Sequence, residues 1–121
     1  MDDESGFSIR HRDELERSGR WSLVRRSLGL QSFGMNVVDI APGDRIPEHD
    51  ETERDQEEVF VVLSGDATLV VDGEEHSAPA GTFARIDPPH LRTVVNTGAE
   101  VASVLIVSAP TTSGFEPDTW N

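Results

Sequence analysis

The sequence predicts an all-β fold, a small barrel preceded by a short helical N-terminal segment, on three observations. Short β-rich runs recur along the chain with turn signals between them, and little else reads as helix. Two stretches, GDRIPEHDETERDQEEVFVVLSG over 43–65 and GEEHSAPAGTFARIDPPHLRTVVN over 73–96, set glycines, a proline and polar residues at fixed offsets around those runs. A length of 121 residues suits one buried core rather than two. Such a pattern builds a barrel with a polar pocket in its mouth.

Residues 1–20 are charged and irregular, with one helical turn expected from Asp13 to Arg17 before Gly19. Ser22 stands where it can cap a short helix through Leu28, and Gly29 follows that helix as a left-handed terminator. A strand runs from Phe33 to Ile40 and stops at Ala41-Pro42-Gly43. Asp44 to Gln56 reads as a charged loop. Glu58 to Leu63 is a strand, Ser64-Gly65-Asp66 a turn, and Ala67 to Val71 the return. Asp72-Gly73 is a tight hairpin signal because both residues tolerate positive φ. Glu74 to Ser77 continues the meander and Pro79-Ala80-Gly81 turns it. Phe83 to Ile86 is a further strand, Asp87-Pro88-Pro89 breaks it, and Arg92 to Asn96 follows. Thr97-Gly98 turns the chain into Val101 to Ser108. The tail is irregular, with Trp120 expected to dock on the body. The organisation is thus an N-terminal extension (1–32), a barrel (33–108) and a C-terminal tail (109–121).

Strand 58–63 is apolar on both alternating faces, Phe60 and Val62 on one and Val59, Val61 and Leu63 on the other. Its outer face therefore needs a cover, from the N-terminal segment or a second subunit. A homodimer is the expectation.

Composition narrows the partners. Asp plus Glu number 23 against 10 Arg, with no Lys, for a net charge of −13. Nucleic acid and anionic membrane surfaces need a positive field and are excluded as partners. Acid excess without lysine matches a salt-loving or GC-rich source, where salt screens the self-repulsion; an ordinary acidic protein is the alternative. Cysteine is absent, so disulfides, thiolate zinc sites and iron–sulfur clusters are ruled out. No apolar run approaches the roughly 18 residues of a membrane helix. The N-terminus is acidic where a signal peptide is basic and then apolar, so a cytoplasmic protein is expected.

The spacing of the two stretches resembles the cupin superfamily. Gly43, five residues, His49-Asp50-Glu51, then Glu58, six residues and Gly65 follow the family's first motif. Gly73, five residues, Pro79-Ala80-Gly81 opens the second, and Asn96 closes it. The resemblance covers about residues 33–108 and implies a conical jelly-roll barrel. It also implies that the metal-ligand positions of the family fall on His49, Glu51, Glu58 and Arg92. Two of the four depart from the family's histidines, and the gap between Glu51 and Glu58 is longer than usual.

Glu51 remains a good ligand for Mn, Fe or Mg. Arg92 is not one, because a guanidinium has no lone pair to give. At about 4 Å it repels a dication by roughly 8 kcal/mol at an effective dielectric of 20. His90, two residues earlier, shares a face with Arg92 if the strand begins early, and would then complete a His49, Glu51, Glu58, His90 set for Mn, Fe, Ni or Zn. The plainer reading, which we favour for Arg92, is an ion pair with Glu58 and Glu51 that closes the barrel. Glu51, Glu53, Asp55 and Glu57 as a run suit a solvated loop. His11 and His76 are expected at the surface.

Three functions stay open. The first is a small-molecule-binding cupin with weak or no metal, Arg92 gripping an anion, His49 and Glu58 orienting it, and Phe60 and Phe83 as apolar walls. The second is a metal-dependent dioxygenase or isomerase. The third is a non-catalytic barrel used for dimerisation.

Overall fold

The structure is a computed structural model and describes residues 6–120. Among the described residues, nine antiparallel strands form two sheets that face each other. The first runs β1 (Arg17–Ser18), β2 (Trp21–Ser22), β3 (Gly34–Ile40), β9 (Ala102–Pro110), β4 (Gln56–Ser64) and β7 (Phe83–Ile86), in that spatial order. The second holds β6 (Glu74–Pro79), β5 (Asp66–Val71) and β8 (Arg92–Asn96). The segment before β4 extends this second sheet through bridges from Arg45 to Val95 and from His49 to Arg92. From β4 onward the chain crosses repeatedly between the sheets, β4, β7 and β9 lying in the first and β5, β6 and β8 in the second, the double-sheet jelly-roll arrangement.

The core lies between the sheets and is built from alternating inward positions: Val38 and Ile40 of β3, Phe60 and Val62 of β4, Leu69 of β5, Val94 of β8, and Val104 and Ile106 of β9. The glycines of the two motifs have specific tasks. Gly65 turns β4 into β5 at φ +85°, and a Cβ there would lie 2.8 Å from both the Ala102 Cα and the Val101 carbonyl. Asp72 and Gly73 both take positive φ, 51° and 80°, at the β5–β6 hairpin, as the sequence requires. Asn96 is wholly buried. Its Nδ2 donates to the Ile40 and Glu100 carbonyls at 2.8 and 2.7 Å, and its Oδ1 accepts from the Gly98 N–H at 2.9 Å. It therefore ties the end of β3 to the β8–β9 turn.

The N-terminal segment differs in detail from expectation. The helical turn is a 3-10 turn at Arg12–Glu14, capped by His11. The helix α1 spans Val24–Leu28 and ends on Gly29 at φ 75°, but Ser22 does not cap it. Ser22 is buried within β2 instead, because the short β1–β2 ribbon pairs with β3. This segment covers the outer face at β3, where Asp39 accepts from Arg12 and Ser103. Burial alone would raise the Asp39 pKa, yet these hydrogen bonds and the Arg12 and Arg17 charges hold it below the ordinary range. The cover does not reach β4 and β7: Leu63 and Phe83 stay exposed. Trp120 does not dock and is 91% exposed. Among the described residues, no helix is long and apolar enough to cross a membrane.

Candidate functional site

His49 and Glu51 lie two apart on an extended segment, so both side chains project to the same side. Glu58 stands on β4 at the same inward parity as Phe60 and Val62. Among the described residues these three offer ligand atoms that all lie within 4.8 Å of one another. The His49 Nε2 sits 3.2 Å from Glu51 Oε2 and 3.6 Å from Glu58 Oε1. Its Nδ1 sits 3.0 Å from the Pro47 carbonyl oxygen, which can only accept. Nδ1 therefore carries a proton, and Nε2 faces two carboxylates.

Arg92 enters from β8 and is completely buried. Its Nη1 donates to Glu58 Oε1 at 3.0 Å and its Nη2 to the Asp87 carbonyl at 2.7 Å. Its Nε is buried with no hydrogen-bond partner among the described residues. The guanidinium thus closes against Glu58, and its terminal nitrogens are already engaged by the protein. Burial pushes the Glu58 pKa up, and the Glu51 carboxylate adds to that; Arg92 and His49 pull the other way without cancelling it.

Three other expected site residues lie elsewhere. Phe60 is core, 2% exposed, packed between the sheets rather than lining a cleft. Phe83 is a correction: it is 74% exposed on the outer face of the first sheet. Strand parity explains it, since Ile86 pairs with Glu58 and is buried, which places Phe83, three positions away, on the opposite face. His90 is the other correction, because it does not join His49, Glu51 and Glu58. It sits in the turn before β8, and its Nδ1 meets Asp72 Oδ2 at 2.6 Å.

Sequence reasoning missed Asp72, seen only as a hairpin residue, and the carbonyls of Pro47 and Asp87, which carry no side-chain signal. Asp72 also accepts the Leu91 N–H at 2.9 Å. The His90 hydrogen bond, with that of Leu91, holds its pKa below the ordinary carboxylate value.

Two facing antiparallel sheets with a histidine and two glutamates gathered between them define a small jelly-roll barrel with a polar centre. The cupin domain family model matches residues 36–108, more than half of the sequence, and the chain belongs to the cupin family. Solved structures agree on the fold. A cupin protein from Bacteroides fragilis aligns with TM-score 0.78 at 21% identity over 93% of this chain and 91% of its own. A sugar phosphate isomerase of the cupin superfamily from Silicibacter pomeroyi aligns with TM-score 0.72 at 24% identity over 86% and 76%. A predicted oxalate decarboxylase from Thermotoga maritima aligns with TM-score 0.71 at 15% identity over 85% and 99%. No curated protein matches the sequence.

Proposed function

We propose that this cupin holds a divalent cation at His49, Glu51 and Glu58 and uses it to bind a small molecule in the barrel. The observation that carries the reading is the orientation of His49. A metal-ligating histidine almost always commits its other ring N–H to an oxygen, and here Nδ1 meets the Pro47 carbonyl while Nε2 faces Glu51 and Glu58. Two donors about 2.1 Å from one ion and at right angles lie about 3 Å apart, close to the spacings seen. One imidazole and two carboxylates suit Mn or Fe, with Ni and Zn less favoured by the oxygen-rich set. Arg92 is outside the donor set; it fixes the Glu58 carboxylate and lowers affinity by its own charge. When bound, such an ion supplies a Lewis acid for a carbonyl or hydroxyl oxygen. The residues themselves bind it, orient Glu58 and keep bulk water from the buried side.

One observation favours a second reading. Two carboxylates, the Arg92 guanidinium and an imidazolium at His49 sum to zero charge, and such an imidazolium satisfies both Pro47 and Glu51. In that reading the ions close the barrel and no metal binds. Chelator-stripped protein titrated with Mn, Fe, Ni and Zn salts separates the two. The cation reading expects a melting rise of more than a few degrees that Glu58→Gln abolishes. No shift with any of these metals refutes it and leaves the closed ion network.

The homodimer is proposed on the outer face of the first sheet. Phe83 and Leu63 are exposed there beside Val61, on a sheet whose last strand, β7, has a free edge. Charge repulsion at −13 opposes self-association, so the dimer should strengthen with salt. Sedimentation at low and high KCl, with Phe83→Glu as the disrupting variant, checks it.

A further inference from the structure

Between the free edges of β6 and β7 the two sheets part, leaving a cavity of about 370 Å³, at the small end of the range for ligand sites. Its floor is apolar, with Leu69, Val71, Ala78, Ala84 and Ile86, and His90 stands at its edge. Neither His49, Glu51, Glu58 nor Arg92 lines it.

The polar groups at this cavity are His76, Ser77, Thr82, Arg85 and His90, and Asp72, outside the lining, orients His90. The Asp72 side chain is fixed at both oxygens, by the Leu91 N–H at 2.9 Å and by His90 Nδ1 at 2.6 Å. An ionised carboxylate only accepts, so Nδ1 carries the ring proton. In the neutral ring, Nε2 is then a lone-pair acceptor, and it is the nitrogen Asp72 leaves for a ligand. The rim offers no surplus positive charge. His90 is matched by Asp72 at 2.6 Å, Arg85 by Asp87 at 3.3 Å and His76 by Glu74 at 3.7 Å. The whole chain carries −13, so a preformed anion is repelled.

We infer that the seam cavity binds a small neutral molecule with an apolar body and one hydroxyl, an alcohol or phenol, whose O–H donates to His90 Nε2. The apolar floor takes the body, and the Asp72–His90 pair reads the hydroxyl as a donor. The cavity floor adjoins the His49 cluster, since Ile86 pairs with Glu58 and Val71 with Arg92, but its polar contact uses no residue of that cluster, so the proposal does not rest on the cation reading.

Phenol and anisole, measured by calorimetric titration, test the donor requirement directly, since they differ by the O–H that anisole lacks. The parent protein should bind phenol about tenfold more tightly than anisole, the ratio one good hydrogen bond to a polarised imidazole supplies. Benzoate should bind more weakly than phenol. Asp72→Asn keeps the turn, because Asn also tolerates positive φ, but its amide N–H donates to His90 Nδ1 and moves the ring proton to Nε2. The phenol preference should then collapse or invert. A long-range proton–nitrogen spectrum of His90 should show Nδ1 protonated in the parent and Nε2 protonated in the variant. His90→Phe should lose the discrimination while keeping metal-induced stabilisation. Equal binding of phenol and anisole by the parent, benzoate outranking phenol, or a parent His90 protonated on Nε2 would each overturn the inference. Added EDTA should leave the phenol affinity unchanged; a loss there would transfer the ligand to the cation site and overturn the independence claimed.

Discussion

Arg92→Met exchanges a wholly buried guanidinium for an apolar chain of comparable reach and leaves Glu58 without the cation now 3.0 Å away. Two unit charges at that distance attract by about 5 kcal/mol at an effective dielectric of 20. Removing one partner of a buried pair costs about 3–5 kcal/mol, because the other charge is left uncompensated. For a domain of this size each kcal/mol moves the melting point by about 3–5 °C, so a fall of about 10–20 °C follows at pH 8 in EDTA. The loss is pH-dependent, with a definite sign. Burial and the Glu51 carboxylate already hold the Glu58 pKa above its ordinary value, and removing Arg92 raises it further. A carboxyl whose folded pKa is raised favours the fold while it is protonated, and that contribution is lost as pH rises through the folded pKa. The gap between variant and parent should therefore shrink from pH 8 towards pH 5. Mn(II) should narrow it at pH 8, because an ion replaces the missing positive charge. The assay is melting followed by circular dichroism across that pH range, with and without metal. A variant that melts within about 3 °C of the parent at pH 8 in EDTA, with no trend in pH, would refute the role assigned to the pair.

Asn96→Asp replaces two N–H donors with an oxygen facing the Ile40 and Glu100 carbonyls; each unmade buried hydrogen bond costs about 1–3 kcal/mol, and denaturant unfolding should show a loss at least as large as for Asn96→Ala. Gly65→Ala puts a Cβ 2.8 Å from the β9 backbone at φ +85°, and about 1–3 kcal/mol of backbone strain plus the clash should lower the urea midpoint. Asp39→Asn keeps an oxygen acceptor for Arg12 and Ser103 but removes the negative charge that Arg12 and Arg17 face. Because the Asp39 pKa is lowered in the fold, its contribution is present above its unfolded value of about 3.9 and lost as pH falls through the folded pKa. The pair is partly exposed, so the melting gap at pH 7 should be only about 2–4 °C, closing in acid.

The strands of the barrel were legible in the sequence because each is bounded by a backbone requirement that side chains announce. Gly65 cannot carry a Cβ without a clash, Asp72-Gly73 needs positive φ twice, and the short Asn96 amide both donates twice and accepts at one corner. The β1–β2 ribbon was not legible. Two-residue strands show no alternation, and Ser22 looked like a helix cap for want of any sign that β3 would pair with it. Phe83 was misplaced by composition, an aromatic beside a polar motif, although parity counted back from Ile86 puts it outside.

His49, Glu51 and Glu58 were found because motif spacing fixes which strand carries each, and pleat parity then turns all three inward. Spacing cannot decide what a given inward residue does once there. Arg92 and His90 lie two positions apart, yet one is buried against Glu58 and the other is captured by Asp72 at the rim. The difference arises because Arg92 is in β8, paired with Val71, whereas His90 precedes the strand in a turn closed by its own N–H to the Asp87 carbonyl. Alternation therefore starts at Arg92 and does not extend back to His90. The same break that removes His90 from the cluster hands the cavity an acceptor oriented by a carboxylate. In this barrel the absence of His90 from the His49 cluster and its place at the cavity edge have one cause, the turn at residues 87–90.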